Sequence, residues 1–535
     1  MKANKFKYII SGMGAIAIAI SSGLLVSCDN NLLETFPNDR LSVDVFWQTE
    51  TDAKLAVNSL YTDLDSTNII SWDALTEIAH TNQNFDVQAY VELGTYDGTS
   101  SKIYNEWKRA YRGIRATSYF LENVDKVPSG NTALINQLKG EAKVLRAYQY
   151  IKLAGLYGNV PLVTTSVTID ESRTLQNKPV AEIWDFVDKE LNEAAALLPA
   201  TYPASDAGRV TKGAALGLAA RANLYAGRYE KAAAEADLVI KSGVYELYSS
   251  YEKLFTYAAE NNKEVLLDRQ FIKDNYPINV FPLLAPYSQK NSQSTYVPTK
   301  ALVDFYETTA GKQINDPTSG YNPATPYVNR DPRLKFSVFL DGDILPSGIA
   351  FKPAPNSGTA DAIGSTYIAS TTGFNIKKYV LADDFANPVN SGINIILLRY
   401  AEVLLTYAEA KIELGQIDAS VLAAINLVRN GRSDVKQPAV KSASQAELRS
   451  LVRRERTVEL AFEGQHLFDI RRWKTAELVM PGRVFGITYK DANGALKTVE
   501  VVAVNKTFDV SRHYLWPIPQ KERDLNPSLT QNPGW

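Results

Sequence analysis

The stretch TKGAALGLAARANLYAGRYEKAAAEADLVI, from Thr211 to Ile240, constrains the fold more than any other. It pairs two helices around Ala226-Gly227-Arg228. Small residues at Ala220 and Ala232 let the helices approach closely, and Gly227 ends the first. One such pair cannot bury both of its faces, so stacked neighbours are expected. Only this unit is clear in the sequence; its neighbours are inferred.

The small residues, with Gly227 and Tyr229 between them, match the spacing of a tetratricopeptide helix pair. Helical periodicity recurs elsewhere. Ala53, Ala56, Val57, Leu60 and Leu64 form one stripe, and Tyr104, Trp107, Tyr111, Ile114, Phe120 and Leu121 another. LKGEAKVLRAYQYIKLAGLYGNVPLV reads as a long helix closed by Gly158-Asn159, with Pro161 just beyond. Residues 271–390 are rich in Pro, Gly, Ser, Asn and Tyr, and read as loops with short strands such as LKFSVFL. Helices resume with INIILLRYAEVLLTYAEAKIELG, AAINLVRNGRS and QAELRSLVRRERTVELAFEGQHLFDIRRW. The proline-punctuated tail YLWPIPQKERDLNPSLTQNPGW cannot be helical throughout and is expected to drape over the body. The fold class expected is mainly α: a tetratricopeptide-like helical repeat scaffold with irregular loops and a few short strands.

Lys2, Lys5 and Lys7 precede an apolar run from Tyr8 to Val26, the pattern of an export signal over residues 1–27. Ser and Gly dilute the run and no positive cluster follows it, which argues against a membrane span. Leu25-Val26-Ser27-Cys28 looks like a bacterial lipobox, and Cys28 is the only cysteine in 535 residues. Its thiol is expected to carry lipid, with residues 28–45 as a tether and 46–535 as a single body. A lone cysteine excludes an internal disulfide framework. The net charge of −2 gives no field for gathering nucleic acid, so no such partner is expected.

In the last long helix Glu455 falls on the apolar stripe of Leu448, Leu451, Val458 and Phe462, where a carboxylate must be paired. Arg399, Glu402 and Glu409 lie in a segment apolar almost all round, and Arg399 and Glu402 are spaced to pair locally. A catalytic acid pair and interior salt links both fit these carboxylates. Neighbouring arginines favour the salt links, because they keep carboxylates ionised, the wrong direction for a general acid. No GxSxG, HExxH, P-loop or dinucleotide fingerprint appears. His80, His466 and His513 are not spaced for a metal, and no metal or other cofactor is expected.

Several segments together resemble one family, the SusD/RagB-like outer-membrane lipoproteins. They are the lipobox, LSVDVFWQTETDAKLAVNSLY, YNEWKRAYRGIRATSYFLENV, GEAKVLRAYQYIKLAGLYGNVPLV, ILLRYAEVLLTYAEAKIELG, INLVRNGR, RRERTVELAFEGQHLFDIRRW and the tail from Tyr514 to Trp535. The resemblance implies a SusD-like helical body, anchored by lipid to the outer membrane and facing outward. It further implies non-catalytic capture of glycan and delivery to a partner SusC-like TonB-dependent transporter.

Sugars present apolar C–H faces and a rim of hydroxyls, so a binder wants exposed aromatic rings beside amides, carboxylates or guanidiniums. Three loop stretches offer them: Tyr276, Tyr287, Asn291 and Tyr296; Trp72, Asp73, Asn82 and Gln83; and Tyr321, Tyr327 and Arg330. A surface glycoside hydrolase or peptidase, an assembly scaffold, and the same delivery role with peptide cargo stay open on these residues. Cells fed labelled palmitate should label the native protein and not Cys28→Ala; cytosolic polypeptide with an unmodified thiol would contradict the anchor.

Overall fold

In the computed structural model, which describes residues 46–83, 87–441 and 443–535, the long helices pack in series. Cys28, the leader and the tether lie outside the described residues. The chain forms α1 (Glu50–Leu60), α2 (Val87–Leu93), α3 (Ser101–Asn123), α4 (Thr132–Tyr157), α5 (Val180–Leu197), α6 (Lys212–Tyr225) and α7 (Tyr229–Lys241). Beyond the loop-rich middle come α8 (Tyr400–Glu413), α9 (Ala419–Asn430), α10 (Gln445–Glu459) and α11 (His466–Arg472). Contacts run from α3 to α4, and on through α5, α6 and α7 to α8, which touches both α9 and α10. This is the nearest-neighbour stacking of a helical repeat.

The alanine-rich helix sits in the middle of that stack. Every residue of α6 from Gly213 to Leu224 is buried. A Cβ at Gly217 would lie 2.9 Å from the Leu398 side chain, so the glycine sets how closely α6 meets its neighbours. Gly227, at φ 71°, then reverses the chain into α7. Capping boxes start α1 at Thr49 and α10 at Ser444. Gly158 ends α4, and the tail satisfies its last carbonyls. The Trp516 N–H donates to Leu156 O at 2.7 Å, and Asn532 Nδ2 donates to Tyr157 O at 2.7 Å.

Among the described residues the strands form two-stranded antiparallel sheets. β1 (Ala79–Thr81) pairs with β3 (Tyr296–Pro298), and β2 (Val265–Arg269) with β6 (Ile395–Arg399). β4 (Val338–Phe339) pairs with β5 (Asn375–Ile376), and β7 (Gly482–Lys490) with β8 (Leu496–Lys506). The main hydrophobic core draws on residues from Trp47 to Leu529, with smaller clusters around Ile470 and within β7–β8.

Two helical readings are corrected. Within INIILLR, Ile395–Arg399 is strand β6, and the helix begins only at Tyr400; a short, mostly apolar run fits a buried strand as well as a buried helix. The long final helix is broken after Glu459, where Phe462 (φ 65°) and Gly464 (φ 76°) take left-handed backbone.

Arg399, on a strand, therefore lacks the helical register that would bring it to Glu402. Glu402 instead accepts two bonds of 2.7 Å from Arg221 on α6. Arg399 joins a buried network in which Asp331, Glu264, Glu307, Glu455, Glu459 and Glu463 meet Arg333, Arg399, Arg429, Arg432, Arg454 and Lys378. Arg333 reaches Glu455 at 2.6 Å and Glu459 at 2.8 Å. Arg429 holds the other Glu455 oxygen at 2.8 Å, and Arg399 reaches Glu459 at 2.7 Å and Glu463 at 2.6 Å. Burial alone would raise the Glu455 pKa; Arg333 and Arg429 reverse that and hold it below its ordinary value.

Glu455→Gln leaves two buried guanidiniums short of a carboxylate, and should cost about 3–5 kcal/mol in denaturant unfolding at neutral pH. Because the folded-state pKa is depressed, this stability is present above the ordinary value of 4.5 and lost as pH falls. The gap between native and variant should therefore narrow in acid.

Candidate functional site

Sheet β1–β3 brings two distant loops together, with Thr81 opposite Tyr296. The pairing continues one residue further, where Asn82 N–H donates to Thr295 O at 2.9 Å. Gln83 Nε2 then donates to Gln293 O at 3.1 Å. Asn82 is buried and fastens a third loop. Its Nδ2 donates to Ile368 O at 3.0 Å, and its Oδ1 accepts from Thr371 N–H at 2.7 Å and Thr371 Oγ1 at 2.8 Å. The same loop is held from its other end by Asp361, which accepts from Ser288 N–H at 2.8 Å.

Three chain segments, around 82–83, 287–296 and 361–371, thus form one surface. Tyr287 (36% exposed) and Tyr367 (71% exposed) stand on it, with exposed Asn291 and Gln293 nearby in sequence. Asn291 sits at φ 57°, a left-handed position that Asn tolerates. Behind β1, Glu92 of α2 bonds His80 Nδ1 at 2.7 Å, the Thr81 N–H at 2.8 Å and Lys506 at 2.9 Å. Burial would raise the Glu92 pKa, but His80 and Lys506 bring it down to about 2, so this support stays ionised.

Other residues picked from sequence lie elsewhere. Trp72 is 3% exposed and packs edge-on against Phe468 at 5.5 Å. Its neighbour Asp73 is fully buried, accepts from Gly464 N–H at 3.3 Å, and is pushed up to about 7 by burial. Both belong to a short helix whose Ile69 and Ile70 are also buried, so neither is the exposed group expected of a sugar platform. Asn82, likewise buried, serves as a staple beneath the surface.

Tyr296 is half-buried against the core. Tyr327 is half-buried edge-on to Phe374 at 6.3 Å. Arg330 is buried and donates to Pro326 O at 2.8 Å and Tyr306 O at 2.7 Å, with its guanidinium 5.4 Å from the Tyr321 ring centre. Arg330 thus spends its donors on backbone carbonyls of its own loop and of the segment around Val303 and Tyr306. Tyr276 is exposed, but in a separate pocket.

Tyr367 escaped the sequence reading, although a lone aromatic within the small, polar run GSTYIASTTG was a visible signal. A cleft of about 820 Å³ between α10, α11 and the base of β7–β8 was also missed. Its floor is the buried pair His466 Nε2–Glu77 Oε1 at 2.8 Å. Its Trp473 ring is flanked by Arg453 and Arg472, each 5.1 Å from the ring centre, which leaves the indole committed to the protein's own cations. Among the described residues no His/Cys/Asp/Glu group is arranged for a metal, and no helix is long and apolar enough to cross a membrane.

The chain is thus a stack of helices that carries hydrogen-bonded loops with exposed aromatic rings. Residues 263–535 match the family model described as the SusD family, and residues 30–224 a second, described as starch-binding associating with outer membrane. The chain belongs to the SusD family. It is similar to a solved SusD-like carbohydrate binding protein of Bacteroides fragilis, at 27% identity and a TM-score of 0.83, covering 91% of this chain and 100% of that one. A second solved SusD-like protein of that species is 26% identical, with a TM-score of 0.81 over 94% of this chain and 100% of its own. A SusD-like protein of Formosa agariphila is 26% identical over 501 residues, 88% of this chain and 93% of its own.

Trp72→Ala should lower unfolding free energy by about 3–5 kcal/mol, as loss of a core aromatic does. Tyr287→Ala should stay within about 0.5 kcal/mol of native. Denaturant titration of the two variants checks the division between core and surface.

Proposed function

We propose that this chain is a surface lipoprotein that captures glycan and delivers it, unaltered, to a SusC-like TonB-dependent transporter in the outer membrane. The observation that carries the binding half is the pair Tyr287 and Tyr367 on loops tied together through Asn82 and Asp361. Exposed tyrosine rings give sugars an apolar face, and Gln83, Asn291 and Gln293 supply amides for hydroxyls. Because the loops are already hydrogen-bonded to one another, little ordering entropy is lost when ligand arrives. The solved Bacteroides fragilis relative, named as a carbohydrate binding protein, and the outer-membrane description of the second family model support the same reading.

Capture rather than hydrolysis is supported by the electrostatics. The carboxylates of the buried network around Glu459 are tied to guanidiniums and a lysine, and Glu455, Glu459 and Glu463 are held ionised rather than poised as acids. Asp73, raised to about 7, is sealed in the core, and Asp361, raised by burial, is enclosed beneath the surface and accepts the Ser288 N–H.

Native protein should be retarded in gels cast with its polysaccharide and release no new reducing ends. Tyr287→Ala/Tyr367→Ala should lose about tenfold in affinity, the effect of removing two stacking contacts. Outer membranes solubilised in mild detergent should yield a TonB-dependent transporter with the tagged native protein. Polymer turnover by purified protein, or unchanged retardation of the double variant, would contradict the proposal.

A further inference from the structure

A second concavity, about 320 Å³, lies between the Asn58–Leu64 segment, the turn at residues 205–209 and the end of β2, and none of its lining residues belongs to the Tyr287–Tyr367 surface. Its wall is fixed from behind. Fully buried Glu141 accepts from the Tyr61 hydroxyl at 2.7 Å and from Arg209 Nη1 at 3.0 Å. Arg209 also donates from Nε to Asp206 Oδ1 and from Nη2 to Asn58 Oδ1, each at 2.9 Å.

The aromatic element is Tyr276, 45% exposed. Its ring stacks on Phe271 with centroids 5.6 Å apart and 7° between planes. Arg269 Nη2 donates to the Tyr276 hydroxyl at 2.6 Å, and the same guanidinium lies 5.3 Å from the Phe271 ring centre. The ring is thus held in one orientation. Gln270 is seated just as firmly, its Nε2 donating to Asn261 Oδ1 at 2.9 Å. Gly208, at φ 87°, passes so close that a Cβ there would fall 2.3 Å from the Gln270 amide.

Arg209 is neutralised by Asp206 and by Glu141 behind the wall, burial raises Asp268 to about 7, and Arg269 spends its guanidinium on the Leu64 carbonyl and the Tyr276 hydroxyl, so the charged lining groups are engaged within the protein. What it offers is one rigid aromatic ring and the neutral hydrogen-bonding groups of Asn58, Thr62, Ser205 and Gln270. That combination suits a ligand with an apolar face and many hydroxyls. Its volume is at the low end of the roughly 300–1,000 Å³ found for small-ligand sites. We propose that this pocket is a second saccharide subsite taking one or two neutral sugar units. The inference rests on the glycan-capture reading and adds a second point of hold, which raises the avidity for a polymer without strengthening either contact.

Saturation-transfer NMR with maltose, cellobiose, laminaribiose, mannobiose and xylobiose tests it. In Tyr287→Ala/Tyr367→Ala, at least one disaccharide should still receive transfer. Adding Tyr276→Ala should weaken that residual binding about tenfold, and Tyr276→Phe in its place should retain it. Residual binding that survives Tyr276→Ala, or a double variant that binds nothing while native protein binds, overturns the subsite and leaves glycan capture standing. A native protein that binds none of these sugars and no polysaccharide in gels overturns both.

Discussion

The buried meeting of carboxylates and guanidiniums around Glu459 is the constraint on which the rest of the structure depends. Glu459 takes Arg333 at 2.8 Å, Arg399 at 2.7 Å and Arg432 at 3.0 Å, and its own side chain is fully enclosed. These cations come from the loop-rich middle, from β6 and from the segment after α9. The network therefore fastens the irregular region to the helical stack at one charged junction. Taking so many ions out of water is costly, and the cost is met only when every partner is in place. A near-correct packing of the loops would leave charges stranded, which makes the junction a stringent selector of one arrangement.

The loop surface inherits its order from that fastening. Arg333 opens the short helix Arg333–Ser337 that runs directly into β4, and β4 pairs with β5, which follows the loop carrying Tyr367. Lys378, just after β5, reaches Glu463 at 2.8 Å and so ties the far side of the same loop to the network. Asn82 and Asp361 complete the hold from the other side. The irregular backbone that carries the two rings is thus tied down from both sides.

How much of this was legible in the sequence follows the range of the interactions. The α6–α7 pair was readable because small residues at helical spacing and Gly227 encode it locally. Glu455 was readable as a buried, paired carboxylate because it interrupts an apolar stripe, but its partners Arg333 and Arg429 come from other segments and could not be named. Arg399 was assigned to Glu402 on helical spacing that a strand does not have. Trp72 looked like a platform because polar residues follow it, whereas contact with Phe468, distant in sequence, puts it inside. Tyr287 and Asn291, chosen from a polar aromatic loop, are exposed, yet their meeting with the Tyr367 loop depends on Asn82 reaching residues 368–371. SusD-family membership was legible from motifs that are largely scaffold, while the surface depends on pairings that no local pattern carries.

The tail's contact with the end of α4 carries a consequence for how the molecule is made. Asn532 and Tyr157 are 375 positions apart, and Trp516 is fully enclosed beside them. A ribosome finishes residue 157 long before it reaches residue 532, so the early helices must wait with their last carbonyls uncovered. Local stacking can proceed during synthesis, but closure cannot, and the completed array is a post-translational event.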